Sequence, residues 1–169
     1  MKTVTLVVAF LVLVSASVFC QSLENIGQQT VVSMNVSINA DKNTLLQLDF
    51  GGSTKGSTSI TSVNAQYVAF ELGKLKILSG AQFISNWASG NKNNSAGIII
   101  TGNYKIKRVR FEASVYAGLG VTKSDVSVAR SKVMAGIEFL EDLEINAGIS
   151  VNSWQGINVK PEIKLSLLF

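Results

Sequence analysis

The 169-residue sequence contains no histidine, one cysteine and one proline. Histidine is the commonest general base and metal ligand, so its absence excludes most Ser-His, Cys-His and His-rich zinc sites. The lone Cys20 supplies neither an intramolecular disulfide nor a multi-thiolate metal site. Zinc-protease, nucleotide-loop and calcium-loop spacings are also missing from the sequence. We therefore expect no enzyme activity and no cofactor.

The first twenty residues differ in character from the rest. A basic start precedes an apolar stretch that runs to Phe19, which is the pattern of a cleaved secretory signal peptide. Cleavage after Cys20 would leave Gln21 first, and cleavage after Ala16 is the alternative. A retained anchor is disfavoured because the stretch is short of the ~20 residues of a span. Lipidation of Cys20 is disfavoured because bulky Phe19 precedes it. We predict a signal peptide over residues 1–20.

Strict alternation of apolar and polar residues dominates the remaining chain. Successive side chains of a strand point to opposite faces, so each such segment has one apolar and one polar face. The alternating segments are 46–50, 60–72, 75–87, 96–106, 108–121, 127–140, 143–151 and 157–169. They predict about eight antiparallel strands over residues 44–169, in one all-β, up-and-down barrel.

The connections between these segments alternate in expected length. Longer polar connections are predicted at Gly51–Ser59, Ser89–Ser95, Thr122–Val126 and Ser153–Gly156. Tight turns are predicted near Gly73-Lys74, Lys107-Arg108 and Glu141-Asp142. Long loops on one side and short turns on the other are typical of outer-membrane barrels.

The segment Thr30–Asn39 also alternates, but as a separate strand it would make the count odd. Its alternating apolar residues lie at even-numbered positions, and so do those of Thr44–Phe50. We therefore interpret it as an extension of the first strand or as a strand outside the barrel. Residues 21–43 are accordingly predicted to be a lead-in to the barrel.

Three features predict that the apolar face points outward and the polar face inward. Glycine is frequent on the polar face, where a narrow interior leaves little room. Aromatic residues of the apolar face fall near strand ends, as in two interfacial girdles: Phe50 and Trp87 at one end, and Tyr104, Phe111 and Phe139 at the other. The polar face carries both signs of charge, and the signs can pair with those of neighbouring strands. These predicted lumen charges are Asp49, Lys76, Lys105, Arg110, Glu112, Arg130, Lys132, Glu138, Glu144, Lys160, Glu162 and Lys164.

The final strand, Val159–Phe169, alternates and ends in phenylalanine. In this pattern the chain resembles the small bacterial outer-membrane barrels of the OmpA/OmpX type. The resemblance implies that Phe169 is the sorting signal for the barrel-assembly machinery of a Gram-negative envelope. Pro161 departs from the pattern, because proline donates no ladder hydrogen bond, and it implies a gap where the last strand meets the first. The short loops also depart from it and argue against an elaborate external binding surface.

Three functions are consistent with this pattern. The first is an outer-membrane barrel with a filled lumen and a structural, adhesion or complex-subunit role. Its partners would be outer-membrane lipid and another envelope protein. The second is a narrow pore or carrier for small solutes. The third is a secreted lipocalin-like barrel that binds an apolar ligand. Basic residues are dispersed along the chain, so a nucleic-acid partner is not expected. Glu138 and Glu144 are interpreted as structural partners of Arg130 or Lys132, not as a catalytic pair.

Overall fold

Nine strands of the described residues form a closed barrel. The computed structural model describes residues 30–40, 43–53, 58–88, 91–121, 127–152 and 158–169, so the predicted signal peptide lies outside the described residues. Each strand pairs with the next along the chain. The strands are β1 (Val31–Asn39), β2 (Thr44–Ser53), β3 (Thr58–Leu72), β4 (Leu75–Ala88), β5 (Asn91–Ile106), β6 (Val109–Gly120), β7 (Ser127–Leu140), β8 (Leu143–Asn152) and β9 (Asn158–Leu168). No helix of the described residues is long and apolar enough to cross a bilayer.

The β-barrel prediction is confirmed, but the predicted count of eight strands is wrong. Residues 31–39, assigned from the sequence to a lead-in, form the barrel strand β1. The same alternation of apolar and polar positions continues from β1 into β2, so the sequence pattern does not indicate that the chain turns between them. In this hairpin Asn35 pairs with Asp49 and Ser37 pairs with Gln47, so odd-numbered residues face the same side on both strands. Alternation alone therefore could not separate one long strand from two.

The barrel closes by a parallel ladder between β1 and β9, so the sheet is mixed and not purely antiparallel. The ladder runs from the pair Val31 and Glu162 to the pair Ser37 and Leu168. Pro161 pairs with Ile149 of β8 and lies one residue beyond the end of the β1 ladder. The missing N–H of proline therefore costs no hydrogen bond to β1.

The connections define two ends of the barrel. Two-residue turns at 73–74, 107–108 and 141–142 lie at one end, here called the turn end, as predicted. At the opposite end, here called the loop end, two connections are shorter than predicted. β2 extends to Ser53 and β3 starts at Thr58, while β5 starts at Asn91. Asn91–Ser95 is polar, but its backbone continues the ladder with β4. The predicted connections at 122–126 and 153–156 lie outside the described residues.

Apolar side chains cover the outside of the barrel. Val115, Ile98 and Val133 are 60%, 63% and 58% exposed, although each lies within a strand. The alternate positions of the strands point inward, and among them the polar residues Asn35, Glu144 and Glu162 are only 1% exposed. The barrel therefore has the reverse of the usual distribution of a water-soluble protein.

One sector of the outer face consists of buried residues. Leu143, Leu165 and Leu167 are buried and form a cluster with the half-buried Val36 and Ile145. They occupy outward register positions on β8, β9 and β1, where the barrel closes. This sector differs from the exposed apolar belt on the other strands.

Lumen-facing glycines are required by the close approach of neighbouring strands. A Cβ atom added to Gly148 would lie 2.0 Å from the carbonyl oxygen of Val133 and 2.7 Å from Cα of Met134. A Cβ atom at Gly80 would lie 1.9 Å from the carbonyl oxygen of Ala65. Backbone atoms cannot move aside as a flexible side chain can, so any side chain here must distort the sheet. Lumen glycines are thus a steric requirement of the narrow barrel.

Substitution Gly148→Ala is therefore expected to prevent folding, or to destabilise the barrel by at least the ~1–3 kcal/mol typical of overpacking. Gly102→Ala is the matched control. Gly102 lies on the outward register of β5, and its added Cβ would make only ordinary contacts, with Ile77 Cδ1 at 3.5 Å and the carbonyl oxygen of Ala113 at 3.8 Å. Urea-induced unfolding of the two variants measures the difference. Equal stability of the two variants would contradict the steric account.

Candidate functional site in the lumen

Eight charged residues fill the middle of the lumen, and we call them the inner charge layer. Four are carboxylates and four are cations: Asp49, Glu112, Glu144, Glu162, Arg110, Arg130, Lys132 and Lys164. All eight belong to the charge set predicted from the sequence. Equal numbers of the two signs let the layer reach neutrality, which buried charges require.

Glu162 of β9 is the most heavily engaged member of the layer. Its Oε1 lies 2.7 Å from Lys132 Nζ, and its Oε2 lies 3.1 Å from Arg130 Nη2. Ser33 Oγ of β1 donates to the same carboxylate at 3.3 Å. One carboxylate thus connects β7, β9 and β1, across the seam at which the barrel closes.

Two further ion pairs complete the layer. Lys164 Nζ lies 3.2 and 3.3 Å from the two carboxylate oxygens of Glu112. Arg110 Nε lies 3.1 Å from Glu144 Oε2. The intervening strand β7 carries Gly136 opposite Arg110, and a Cβ atom there would lie 2.8 Å from Glu144 Oε1. The absence of a side chain at Gly136 leaves room for this pair to pass over β7.

The expectation that charges pair along adjacent strands is wrong for the inner charge layer. Its ion pairs join β6 to β8, β7 to β9 and β6 to β9, and each skips at least one strand. The strands between them carry small lumen residues, Gly136 on β7 and Gly148 on β8. Long Lys and Arg side chains therefore reach across a narrow lumen instead of along its wall.

Asp49 accepts its side-chain hydrogen bonds from neutral donors. Asn35 Nδ2 donates to Oδ1 at 2.8 Å and Ser62 Oγ donates to Oδ2 at 3.0 Å. Gln82 Nε2 in turn donates to Ser62 Oγ at 3.2 Å. Sequence reasoning did not select these neutral residues. The sequence could have indicated them, because they occupy the alternating polar positions of their strands. Asn35 was missed because β1 was not assigned to the barrel.

Towards the loop end the lumen becomes apolar. Ile84, Ile99, Tyr116 and Val128 form a buried cluster against which Ile60 packs. The Tyr116 hydroxyl donates to Ser95 Oγ at 2.9 Å, which satisfies its polar atom inside this layer. This layer was not predicted. The sequence feature that indicates it is the run Ile98–Ile100, because three consecutive apolar residues in a strand place Ile99 on the inward face.

The other predicted lumen charges lie away from the inner charge layer. Lys105 pairs with Glu138 at 2.8 Å, and Lys76 pairs with Glu71 at 3.5 Å. Both lysine side chains are more than 40% exposed. Lys160 is half-buried on β9 in the loop-end half of the strand.

Glu138 and Glu144 form ion pairs, but their partners differ from those predicted. Glu138 pairs with Lys105 and Glu144 with Arg110, not with Arg130 or Lys132. Within the described residues no group of three or more metal-ligating side chains comes together. The arrangement of the lumen provides charge compensation and packing.

The predicted interfacial aromatics lie on the outer face near strand ends. Phe50, Tyr104, Phe111 and Phe139 are each between 40% and 62% exposed. The side chain of Trp87 lies outside the described residues. Phe169 is 42% exposed, and its main chain continues the closing seam through a 2.9 Å hydrogen bond from its N–H to the carbonyl of Ser37.

No family model, no curated protein and no solved structure matches this chain. The function must therefore be inferred from the barrel itself.

Removal of the Glu162 charge is expected to destabilise the barrel strongly. In Glu162→Gln, Arg130 and Lys132 lose their carboxylate, and leaving buried charge unpaired costs about 3–5 kcal/mol. The control is Glu71→Gln, which breaks an ion pair whose side chains are 47% and 50% exposed. Exposed pairs contribute about 0–1 kcal/mol. Urea-induced unfolding compares the variants, and similar losses at both positions would refute the importance of the inner charge layer.

Proposed function

We propose that this chain is an integral outer-membrane β-barrel with a filled polar lumen and a structural, adhesion or complex-subunit role. The observation that carries the proposal is the inverted distribution of polarity. Apolar side chains such as Val115 and Ile149 are more than half exposed, while Glu162 and Lys164 are buried in the lumen. Hydrocarbon is the solvent in which this arrangement is favourable.

The outward positions of three strands carry no charged residue. Among the fully described strands β6, β7 and β8, every outward register position holds an uncharged residue. The lysine and arginine residues of β6 and β7 all face the lumen, where they meet carboxylates. A lysine or arginine facing lipid at the midplane costs about 2–4 kcal/mol, so this segregation supports a membrane environment.

A secreted carrier of apolar ligands fits the barrel less well. Such a carrier needs an apolar cavity inside and a polar surface outside. The lumen around the inner charge layer instead holds a cavity of about 20 Å³, lined by residues such as Asp49, Gln82 and Lys132. That volume is about the size needed for one water molecule.

The same packing argues against a pore. Ion pairs fill the middle of the described lumen, and the apolar cluster around Ile99 and Tyr116 fills its loop-end part. Planar-bilayer recordings of the purified protein are therefore expected to show no steady conductance. A reproducible open channel would contradict the filled lumen and favour a transport role.

The membrane proposal is tested by a pair of substitutions on β6. Val115 lies near the middle of the strand and Leu119 near its end, and their exposures are 60% and 62%. In a membrane, Val115→Arg is expected to lower the unfolding free energy by about 2–4 kcal/mol, and Leu119→Arg by about 0–1 kcal/mol. The measurement is urea-induced unfolding from phospholipid vesicles.

In water, arginine at two equally exposed positions would have equal and small effects. That outcome, together with release of the protein by carbonate washing, would refute the membrane proposal. Retention in the carbonate-washed outer membrane, with a gel mobility that shifts on boiling, would support it.

A further inference from the structure

The turn end of the lumen contains a cavity of about 290 Å³. It adjoins the inner charge layer at Arg110, and its lining also includes Asn39 and Asn43 of the β1–β2 hairpin and Lys74 of the turn between β3 and β4. Its volume is at the lower end of the ~300–1,000 Å³ of small-molecule sites. The filled lumen therefore ends in a vestibule large enough for a small ligand.

Four cationic side chains line this vestibule, and none of its described lining residues is a carboxylate. The cations are Lys74, Lys76, Lys105 and Arg110. They converge because β4, β5 and β6 are adjacent: Lys105 pairs in register with Arg110, and its N–H donates to the carbonyl of Lys74 at 3.4 Å. Convergent cations in a concave, partly enclosed site raise the local concentration of anions.

The ion pairs of these cations leave the vestibule open to an anion. Arg110 contacts Glu144 through Nε at 3.1 Å, so it can hold an anion only through the two Nη groups of its guanidinium. Lys76 and Lys105 contact Glu71 and Glu138, but the two lysine side chains remain 47% and 43% exposed. Exposed ion pairs are weak, so these ammonium groups can turn towards a ligand at little cost. Lys74 lies in the two-residue turn and takes part in none of the ion pairs of the described residues.

The vestibule wall also contains an unpaired polar atom. Asn103 lies opposite Lys76 and Glu112 in the sheet, and its Oδ1 is buried without a hydrogen-bond partner among the described residues. A buried acceptor without a donor is costly, so it is usually satisfied by water or by a ligand. A bound anion that carries a hydroxyl hydrogen would satisfy it.

We propose that the vestibule binds a phosphate group, held by Lys74, Lys76, Lys105 and Arg110, with Asn103 accepting a hydrogen bond from its protonated oxygen. Lysine binds phosphate as a mobile point charge, and three of the four cations are lysines. The phosphate belongs to a small water-soluble molecule, because the lining residues face the lumen and not the outer face. This assignment does not depend on insertion of the barrel into a membrane.

The test measures inorganic phosphate binding to the folded full-length barrel at low ionic strength. Titration calorimetry and phosphorus-31 NMR line broadening are expected to show saturable binding that weakens as salt rises. The double variant Lys74→Gln/Lys76→Gln is expected to bind at least about tenfold more weakly, because two charge-assisted contacts are lost. Both residues are exposed, so the double variant is expected to keep its folded gel mobility.

Lys160→Gln is the matched control. Like each substitution of the double variant, it removes one lysine charge, here from the loop-end half of β9 and outside the vestibule. It is expected to leave phosphate binding unchanged. Absence of saturable binding by the wild type, or equal weakening by the control, would overturn the assignment. So would binding to phosphatidylglycerol vesicles without binding to free phosphate, which would place the recognised group on a lipid surface.

Discussion

Charge neutralisation across a narrow lumen is the constraint on which the rest of this barrel depends. Glu162 faces inward on the last strand, where isolated charge is very unfavourable, so Arg130 and Lys132 must reach it from β7. That reach requires small residues on the wall between them, and Gly148 lies directly beside Glu162 on β8. The glycine at position 148 and the buried charge at position 162 therefore depend on each other.

The same constraint relates the interior to the exterior. Side chains alternate along each strand, so a strand whose charges all face the lumen leaves an outer face without charge. On β6, Arg110, Glu112 and Ser114 face inward, while Phe111, Ala113 and Val115 face outward. An arrangement of this kind has a low free energy only if the outer face is covered by something other than water, which is the reason for proposing a bilayer.

Much of the fold could be predicted from the alternation of residue types, because that alternation reports directly which side of a sheet each residue faces. It cannot report where a strand ends when the same alternation continues after the turn. For this reason the sequence predicts β1 only as an extension of the next strand or as a strand outside the barrel. Polarity was also misleading at Asn91–Ser95, since backbone pairing with β4 needs no apolar side chain.

The members of the inner charge layer could be selected from the sequence, but their partners could not. Pairing depends on the register and on the width of the lumen, and both are properties of the closed barrel. Arg110 and Glu144 meet across the intervening strand β7, where a Cβ atom at Gly136 would lie 2.8 Å from Glu144 Oε1. The vestibule was likewise not foreseen, because its lysines come from different hairpins and their convergence requires the adjacency of β4, β5 and β6.

The parallel ladder between β1 and β9 has a consequence for how the chain reaches its native state. Ser33 and Glu162, which meet at this ladder, are 129 residues apart in sequence, whereas the other ladders join strands that follow one another along the chain. Closure of this ladder therefore has the largest loop-closure entropy cost of the nine, and an unclosed sheet would have β1 and β9 as open edges able to pair with other chains. An unclosed sheet would also leave Glu162 without Ser33, so completion of the ring and completion of the polar interior coincide.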